Sequence, residues 1–344
     1  MEHQPRAAFL VKNGAAHEAF EWRPIAIPEP QENEVLIQVT SFGLNFADVL
    51  ARNGLYREAP PLPAIIGYDA TGKVIAIGKN VDSKWLHKRV AALTRFGAYA
   101  THVCTPTTGI AEIPDDMPDV EACALGTQYA TAYYSACYVQ QCRKGEKVLV
   151  HAAMGGVGTA LIQILQNIGC EIYATVGSDE KKTALIQRGI KAYNYNTEDY
   201  ESAIHSALNG DKLDVSFNSI AGSTFKKDIR LLGSGGRLVL YGFAERSGKT
   251  GGKWATIKLL WSMGLLMPIL LLAKSKSIIG VNMLKVGDHR AHIIQECMEQ
   301  LVLLWKQGKV KPFNGGVFSQ EELSKAHHAL ETRQIQGKAI ISLK

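Results

Sequence analysis

Residues 147–178 constrain this chain more than any other stretch. They read Lys-Val-Leu-Val-His-Ala-Ala-Met-Gly-Gly-Val-Gly, run on through an apolar helical pattern to Gly169, and close on Glu-Ile-Tyr-Ala-Thr-Val-Gly-Ser. Val148, Leu149 and Val150 form a short, β-rich apolar run of the kind a buried parallel strand needs. The turn after it, Ala153-Met154-Gly155-Gly156-Val157-Gly158, is built from residues of little bulk, and Leu161, Ile162, Ile164 and Leu165 give the following helix a packing face. Gly155 lets the backbone approach a pyrophosphate, and Gly158 lets helix and strand pack closely. Gly156 and Val157 open a helix whose unpaired N–H groups and positive dipole end attract phosphate. Ala153 stands where the first glycine of the G-x-G-x-x-G fingerprint belongs. A glycine triplet alone would serve a structural turn equally well. A strand before it, a helix after it and a second strand over 172–176 make it a dinucleotide site.

The end of that second strand selects the dinucleotide. An NAD site places Asp or Glu there to bind the ribose hydroxyls. This chain has Gly177 and Ser178, followed by Lys181 and Lys182. A small residue beside a hydroxyl and two ammonium groups suits a 2′-phosphate, which a carboxylate would repel. Asp179 and Glu180 blunt that charge, and the lysines could simply solvate the next helix. The expectation is NADPH.

Composition narrows the rest. At 344 residues the chain is long enough for two domains. Its net charge of +6 is too small and too local to argue nucleic-acid binding. Between residues 246 and 285 there are seven Lys or Arg and no Asp or Glu, which leaves the remainder at −1. The six cysteines are scattered without a C-x-x-C pair, as in a reduced cytosolic protein. The N-terminus shows no apolar run of a signal peptide. The longest apolar run, 259–273, contains Ser262 and Pro268 and is too short to span a bilayer.

Short strands punctuated by Gly and Pro fill the first third, including 35–39, 72–78 and 89–93. From Lys147 onward strands alternate with helices, with later strands over 192–195, 213–218, 237–241 and 277–281, as in a doubly wound sheet. A helix is expected over 289–307. Residues 310–344 return to short strands and a helix, so the tail is expected to rejoin the first domain. The fold class is α/β: a β-rich domain over 1–124 and 288–344, and a Rossmann doubly wound parallel-sheet domain over 125–287.

Several motifs then point to one family. Gly43-Leu44-Asn45-Phe46-Ala47-Asp48, Arg52-Asn53-Gly54-Leu55-Tyr56 and Pro63-Ala64-Ile65-Ile66-Gly67-Tyr68-Asp69 resemble the zeta-crystallin-like quinone oxidoreductases of the medium-chain dehydrogenase/reductase superfamily. Residues 93–100 and 129–134 look most like its vesicle amine transport protein branch. The resemblance implies a GroES-like β domain beside the Rossmann domain, with the active site in the cleft between them; a homodimer is a separate expectation. It places Asn45 and Tyr56 in the substrate and nicotinamide pocket, with Thr131 and Asn282 at the nicotinamide end. It places Gly177, Lys181 and Tyr195 at the 2′-phosphate, and Ser219, Gly242 and Phe243 at the sheet edge near the cofactor. The family's usual Pro-Gly-x-Glu is here Ile66-Gly67-Tyr68-Asp69, and its Gly-Asp-Arg-Val is His87-Lys88-Arg89-Val90. A usual Pro is Gly126 and the branch's Asn is Gln128. These departures flank the pocket and leave the acceptor open.

The zinc-ligand places of related alcohol dehydrogenases correspond to Asn45, Tyr68 and Thr127, none a good zinc ligand, so no metal is expected. Chemistry without a Lewis acid suits an electron-poor acceptor, a quinone or an α,β-unsaturated carbonyl. Asn45 would hydrogen-bond the acceptor oxygen as charge develops there. Tyr56 would donate a proton, stack, or simply pack beside Pro60 and Pro61. The competing reading is a non-catalytic, NADPH-binding, membrane-associated protein, because fold does not fix function. The basic and apolar stretch 246–285 must be covered by its own domain, a second subunit or lipid. The expectation is a cytoplasmic protein in which that stretch lines the cleft or a subunit contact and can touch anionic membranes reversibly.

Overall fold

The computed structural model describes residues 4–246, 261–264 and 267–343. Of the basic, apolar stretch 246–285, residues 247–260, 265 and 266 and the side chain of Arg246 lie outside the described residues. The chain divides into two compact units, Met1–Ala130 with Met283–Lys344, and Thr131–Asn282.

In the first unit the strand Glu34–Leu44 is central. It pairs antiparallel with Asp69–Ile77, with His102–Pro106 and with Lys338–Ser342. Its alternation buries Val35, Ile37, Val39 and Phe42 against Val74, Val90, Ile110 and Ile341, the core of this unit. Burying each such side chain contributes roughly 1.5–3 kcal/mol. The pairing register sets Gly43 opposite both Asp69 and Ile340, and Leu44 opposite Ala339. Three segments far apart in sequence therefore end at one place. The C-terminal residues enter this sheet through Asn314–Ser319 and Lys338–Ser342.

The long helix of this unit runs Met283–Lys306, six residues earlier than the expected start at 289. The reason is a break at Arg290, with φ −144° and ψ 52°. The apolar rhythm Ile293, Ile294, Cys297, Met298, Leu301 and Val302 belongs only to the part after the break, so periodicity reports that part alone.

Among its described residues the second unit holds six parallel strands: β1 (Lys147–Val150), β2 (Glu171–Val176), β3 (Lys191–Asn194), β4 (Leu213–Asn218), β5 (Leu232–Leu240) and β6 (Ser277–Gly280). Their order across the sheet is β3-β2-β1-β4-β5-β6, the doubly wound arrangement in which the strand order reverses beside β1. β5 begins at Leu232 and not near Arg237, because Gly233, Gly235 and Gly236, which read as a turn, form an irregular stretch where the register with β4 shifts. Leu149, Tyr173, Leu213 and Leu238 of the sheet pack on Tyr200, Ile204, Phe225 and Leu231 of the helices. Pro268 opens a helix, Pro268–Lys274, as a residue without an N–H suits a first turn.

Candidate active site

The dinucleotide fingerprint folds as strand, turn and helix. β1 ends at Val150, the chain turns through Ala152 at φ 48°, and the helix Gly156–Ile168 starts with Gly155 as its N-cap. No side chain caps that helix, so the N–H groups of its first turn, at Gly156 and Val157, are available to an anion. Gly158 is needed for packing: a Cβ there would lie 2.3 Å from the Ala152 carbonyl oxygen. The loop is tied to the neighbouring strands, His151 N–H donating to the Phe217 carbonyl and Ala153 N–H to that of Thr175.

At the end of β2, Gly177 lies directly against Tyr195. A Cβ at 177 would sit 2.5 Å from the Tyr195 hydroxyl. Ser178 caps the helix Asp179–Ile186, its Oγ accepting the Lys181 N–H at 3.3 Å. Gly177 and Ser178 follow β2, Lys181 lies in the first turn of the helix after them, and Tyr195 follows β3 with its hydroxyl against Gly177. Lys182 is spoken for, with its ammonium 2.7 Å from Glu198. The donor set suits a phosphate: a hydroxyl, a phenol, an ammonium and a first-turn N–H, with no carboxylate at position 177. On the other side of β1, Gly242 packs on the backbone of Ser219, where a Cβ would meet the Ser219 carbonyl at 2.7 Å. Ala244 N–H donates to that same carbonyl, which holds Phe243 beside it. Thr131 is buried in the helical segment Ala130–Tyr133, and Asn282 is exposed at the close of this unit.

In the first unit Asn45 caps the helix Phe46–Arg52 and is buried. Its amide nitrogen donates to Asp69 Oδ2 at 2.6 Å, and its Oδ1 accepts from Lys338 Nζ at 2.7 Å. Lys338 also pairs with Asp69, and both are essentially without solvent contact. Thr127 completes the cluster, its N–H and hydroxyl each donating to Asp69 Oδ1 at 2.6 Å. Gly43 makes room for the lysine stem, since a Cβ there would lie 2.2 Å from Lys338 Cε. Asn45 thus has its amide oxygen and one N–H engaged within the protein.

Asp48 adds a second carboxyl. Its Oδ2 accepts the Asn45 N–H at 2.7 Å, and burial pushes its pKa up to about 7 against the counter-effects of that bond and of Lys338. Tyr68, one of the three places weighed for a metal ligand, is 3 % exposed and packs against Phe96 at 5.0 Å. Its phenol is held protonated by burial and by the nearby Asp48 carboxyl. Tyr56 is half-buried, and burial raises its phenol too. Among the described residues no three His, Cys, Asp or Glu side chains converge as a metal site.

Sequence reasoning misses Asp69 and Lys338 as members of this cluster. The available signals are weak: an acid just after the apolar run Ile65-Ile66, and a lysine opening an apolar strand. In the second unit it misses His151 and Asp228, buried and 3.0 Å apart. Asp228 lies on the stripe Phe225, Asp228 and Leu231, a charge where a helix buries apolar residues, and that pattern is readable.

Comparison with known proteins agrees with this architecture. Residues 31–115 match the alcohol dehydrogenase GroES-like domain and residues 156–301 the zinc-binding dehydrogenase family. The chain is 31% identical over 321 residues to the human synaptic vesicle membrane protein VAT-1 homolog-like, covering 92% of this chain and 76% of that protein. The CurK enoyl reductase crystal structure superposes with a TM-score of 0.84 at 28% identity, covering 98% of this chain and 99% of that one. The Escherichia coli quinone oxidoreductase complexed with NADPH does so with 0.83 at 25% identity and the same coverage. The chain belongs to the medium-chain dehydrogenase/reductase superfamily, in its zeta-crystallin-like and VAT-1 homologue branch.

Proposed function

We propose that the protein is a zinc-independent, NADPH-dependent reductase that delivers hydride to a quinone or an α,β-unsaturated carbonyl compound. The end of β2 carries the reading: Gly177 against Tyr195, with Ser178 and Lys181 alongside, where an NAD site would hold an acid. NADPH supplies the hydride when bound. The first-turn N–H groups at Gly156 and Val157, with Gly155 before them, receive the pyrophosphate. Thr131, Ser219, Gly242, Phe243 and Asn282 serve the ribose and nicotinamide portion. The remaining N–H of Asn45 binds the acceptor oxygen, and Tyr56, protonated at neutral pH, gives the proton.

Two features support a reaction without zinc. Asn45, Tyr68 and Thr127 offer an amide, a phenol and a hydroxyl, two of them engaged with Asp69. The Lys338 ammonium beside them would repel a divalent cation. The likeness to an enoyl reductase and to a quinone oxidoreductase supports an electron-poor acceptor. The test is NADPH oxidation across a panel of simple quinones and enones, before and after exhaustive chelation. Turnover that survives chelation supports the proposal. NADPH binding with no turnover on any acceptor overturns it in favour of a non-catalytic role, and activity lost together with stoichiometric zinc overturns the metal-free part.

A second property has its own observation. The helix Pro268–Lys274 buries none of its residues, and Ile269, Leu270 and Leu272 are exposed beside Lys274. No helix of the described residues is long and apolar enough to cross a membrane. We read this surface as a reversible contact with anionic membrane on a cytoplasmic protein. A homodimer is supported by β6, the last strand of the second unit's sheet among the described residues, with exposed Ser277 and Gly280.

A further inference from the structure

The helix Ser223–Leu231 turns Phe225, Asp228 and Leu231 inward. A carboxylate on such a stripe is costly unless several donors satisfy it. Asp228 has no solvent exposure, and four side chains converge on it. Asn218 Nδ2 donates to Oδ2 at 2.6 Å and Ser216 Oγ to the same oxygen at 2.8 Å. Tyr200 donates its hydroxyl to Oδ1 at 3.1 Å, and His151 Nε2 lies 3.0 Å from both oxygens. Among the described residues no Lys or Arg belongs to this set.

Its partners are not scattered. His151 directly follows β1 and leads into the glycine turn. Its Nδ1 is 2.8 Å from the Thr175 hydroxyl, two residues before Gly177. Ser216 and Asn218 close β4. Asn218 passes the constraint on: its Oδ1 accepts the N–H groups of Ile220 and Ala221, each at 2.8 Å. That turn needs holding, because Ala221 adopts φ 59°, a conformation L-residues rarely adopt. The same turn carries the segment after β5: Ala244 and Glu245 donate N–H groups to the carbonyls of Ser219 and Ile220, and Glu245 Oε2 accepts the Ser223 N–H at 2.6 Å. One buried carboxylate is therefore bonded to the carboxyl ends of β1 and β4, through His151 to that of β2, and through Asn218 to the 242–245 segment.

We propose that Asp228 is the positioning residue of the dinucleotide site, acting through His151 and Asn218 to fix the glycine turn, the Gly177 strand end and the Ser219–Gly242 contact in the geometry that receives the cofactor. This rests on the reading of the second unit as an NADPH site and adds the residue that pre-organises it. Asp228 does not touch the cofactor in this scheme. Its effect is to keep three strand ends from relaxing independently.

An exchange of groups tests it. Asp228→Asn turns an amide toward donors, and Asn218→Asp sets two carboxylates side by side. Combining them restores one acid and one amide in the pair, with the carboxylate now at position 218 still able to accept the two turn N–H groups. NADPH affinity, followed by nicotinamide fluorescence, should weaken about tenfold or more in each single variant, as expected for loss of a charge-assisted hydrogen bond. It should return to within about threefold in the double variant, the non-additivity expected of a coupled pair. Nitrogen-15 spectra of the His151 imidazole give a readout in the unaltered protein: its ring signals should shift on saturation with NADPH. An Asp228→Asn protein that binds NADPH as tightly as the parent overturns the assignment, as does a folded double variant no better than the singles. If the variants do not fold, imidazole signals indifferent to NADPH overturn it. A parent protein that binds neither NADPH nor NADH overturns this assignment and the cofactor reading together, whereas the other outcomes leave the cofactor reading standing.

Discussion

Lys338 Nζ donates to Asn45 Oδ1 across 2.7 Å of solvent-free interior, although 293 residues separate them in sequence. The same ammonium pairs with Asp69. A buried cation between an amide and a carboxylate is stable only while all three are present. It also fixes which way round the Asn45 amide lies, oxygen toward Lys338 and nitrogen toward Asp69.

Lys338→Met should accordingly destabilise the fold by about 3–5 kcal/mol, because Asp69 keeps its buried charge and loses its counter-ion. Urea unfolding would show this as a lower midpoint with unchanged slope. Lys338→Met combined with Asp69→Asn should recover much of the loss, since neither charge is then left alone.

The stability should depend on pH through Asp48 and His327, with opposite signs. Burial raises Asp48 to about 7 while Asn45 N–H, Lys338 and Tyr99 act against it and Asp69 with it. The native state thus holds a proton that the unfolded chain releases near pH ~4. Its contribution is complete below that point and is lost as pH rises through about 7. Burial, aided by Arg52, lowers His327 to about 3, so its contribution is complete above the ordinary histidine value and is lost as pH falls toward about 3. The two slopes oppose and largely cancel from about pH 5 to 6, so melting temperatures should change little there and fall only from about pH 6 to 8. Asp48→Asn should turn the profile into a rise that levels off above the ordinary histidine value. A parallel fall in both proteins would refute the assignment to Asp48.

Gly177→Asp should weaken NADPH roughly ten- to a hundredfold and spare or improve NADH, the cost of repelling a phosphate and losing a charge-assisted bond. Any side chain at 177 must also move Tyr195, whose hydroxyl would be 2.5 Å from the new Cβ. Gly177→Ala separates the two effects. It displaces Tyr195 without adding charge and should weaken NADPH by less. Equal binding of NADPH and NADH by the unaltered protein would contradict the cofactor assignment.

Leu272 is 77% exposed on the helix Pro268–Lys274. Co-sedimentation with vesicles containing anionic lipid should be seen at low salt, decline as salt screens the lysines, and disappear in Leu272→Glu. Absence of sedimentation at low salt would leave a protein surface as the partner of this helix.

The Rossmann half is legible in the sequence because its signals are local. A strand, a glycine turn and a helix follow one another within residues 147–168, and each constrains the next. The Asn45 cluster is legible only in part. Asn45 and Thr127 stand out by their motifs, but Lys338 is one of 38 Lys and Arg residues, and its partner Asp69 lies 269 positions away. No periodicity reports a pairing of that span. Asp228 is the intermediate case: its place on a buried stripe can be read, while the four donors that make it tolerable come from other elements and exist only in the fold.

The strand Lys338–Ser342 sits between Asn314–Ser319 and Glu34–Leu44 in the first unit's main sheet. On a translating ribosome this imposes a schedule. Residues 131–282 emerge with their six strands already in hand and can fold while synthesis continues. The first unit, begun earlier, must wait with Asp69 uncompensated and residues 41–44 of its central strand unpaired on the side where His102–Pro106 already covers residues 34–38, until Lys338–Ser342 arrives. The half of the protein made first is thus completed last, and the open end of the central strand at residues 41–44 is the surface a chaperone would have to shield in the interval.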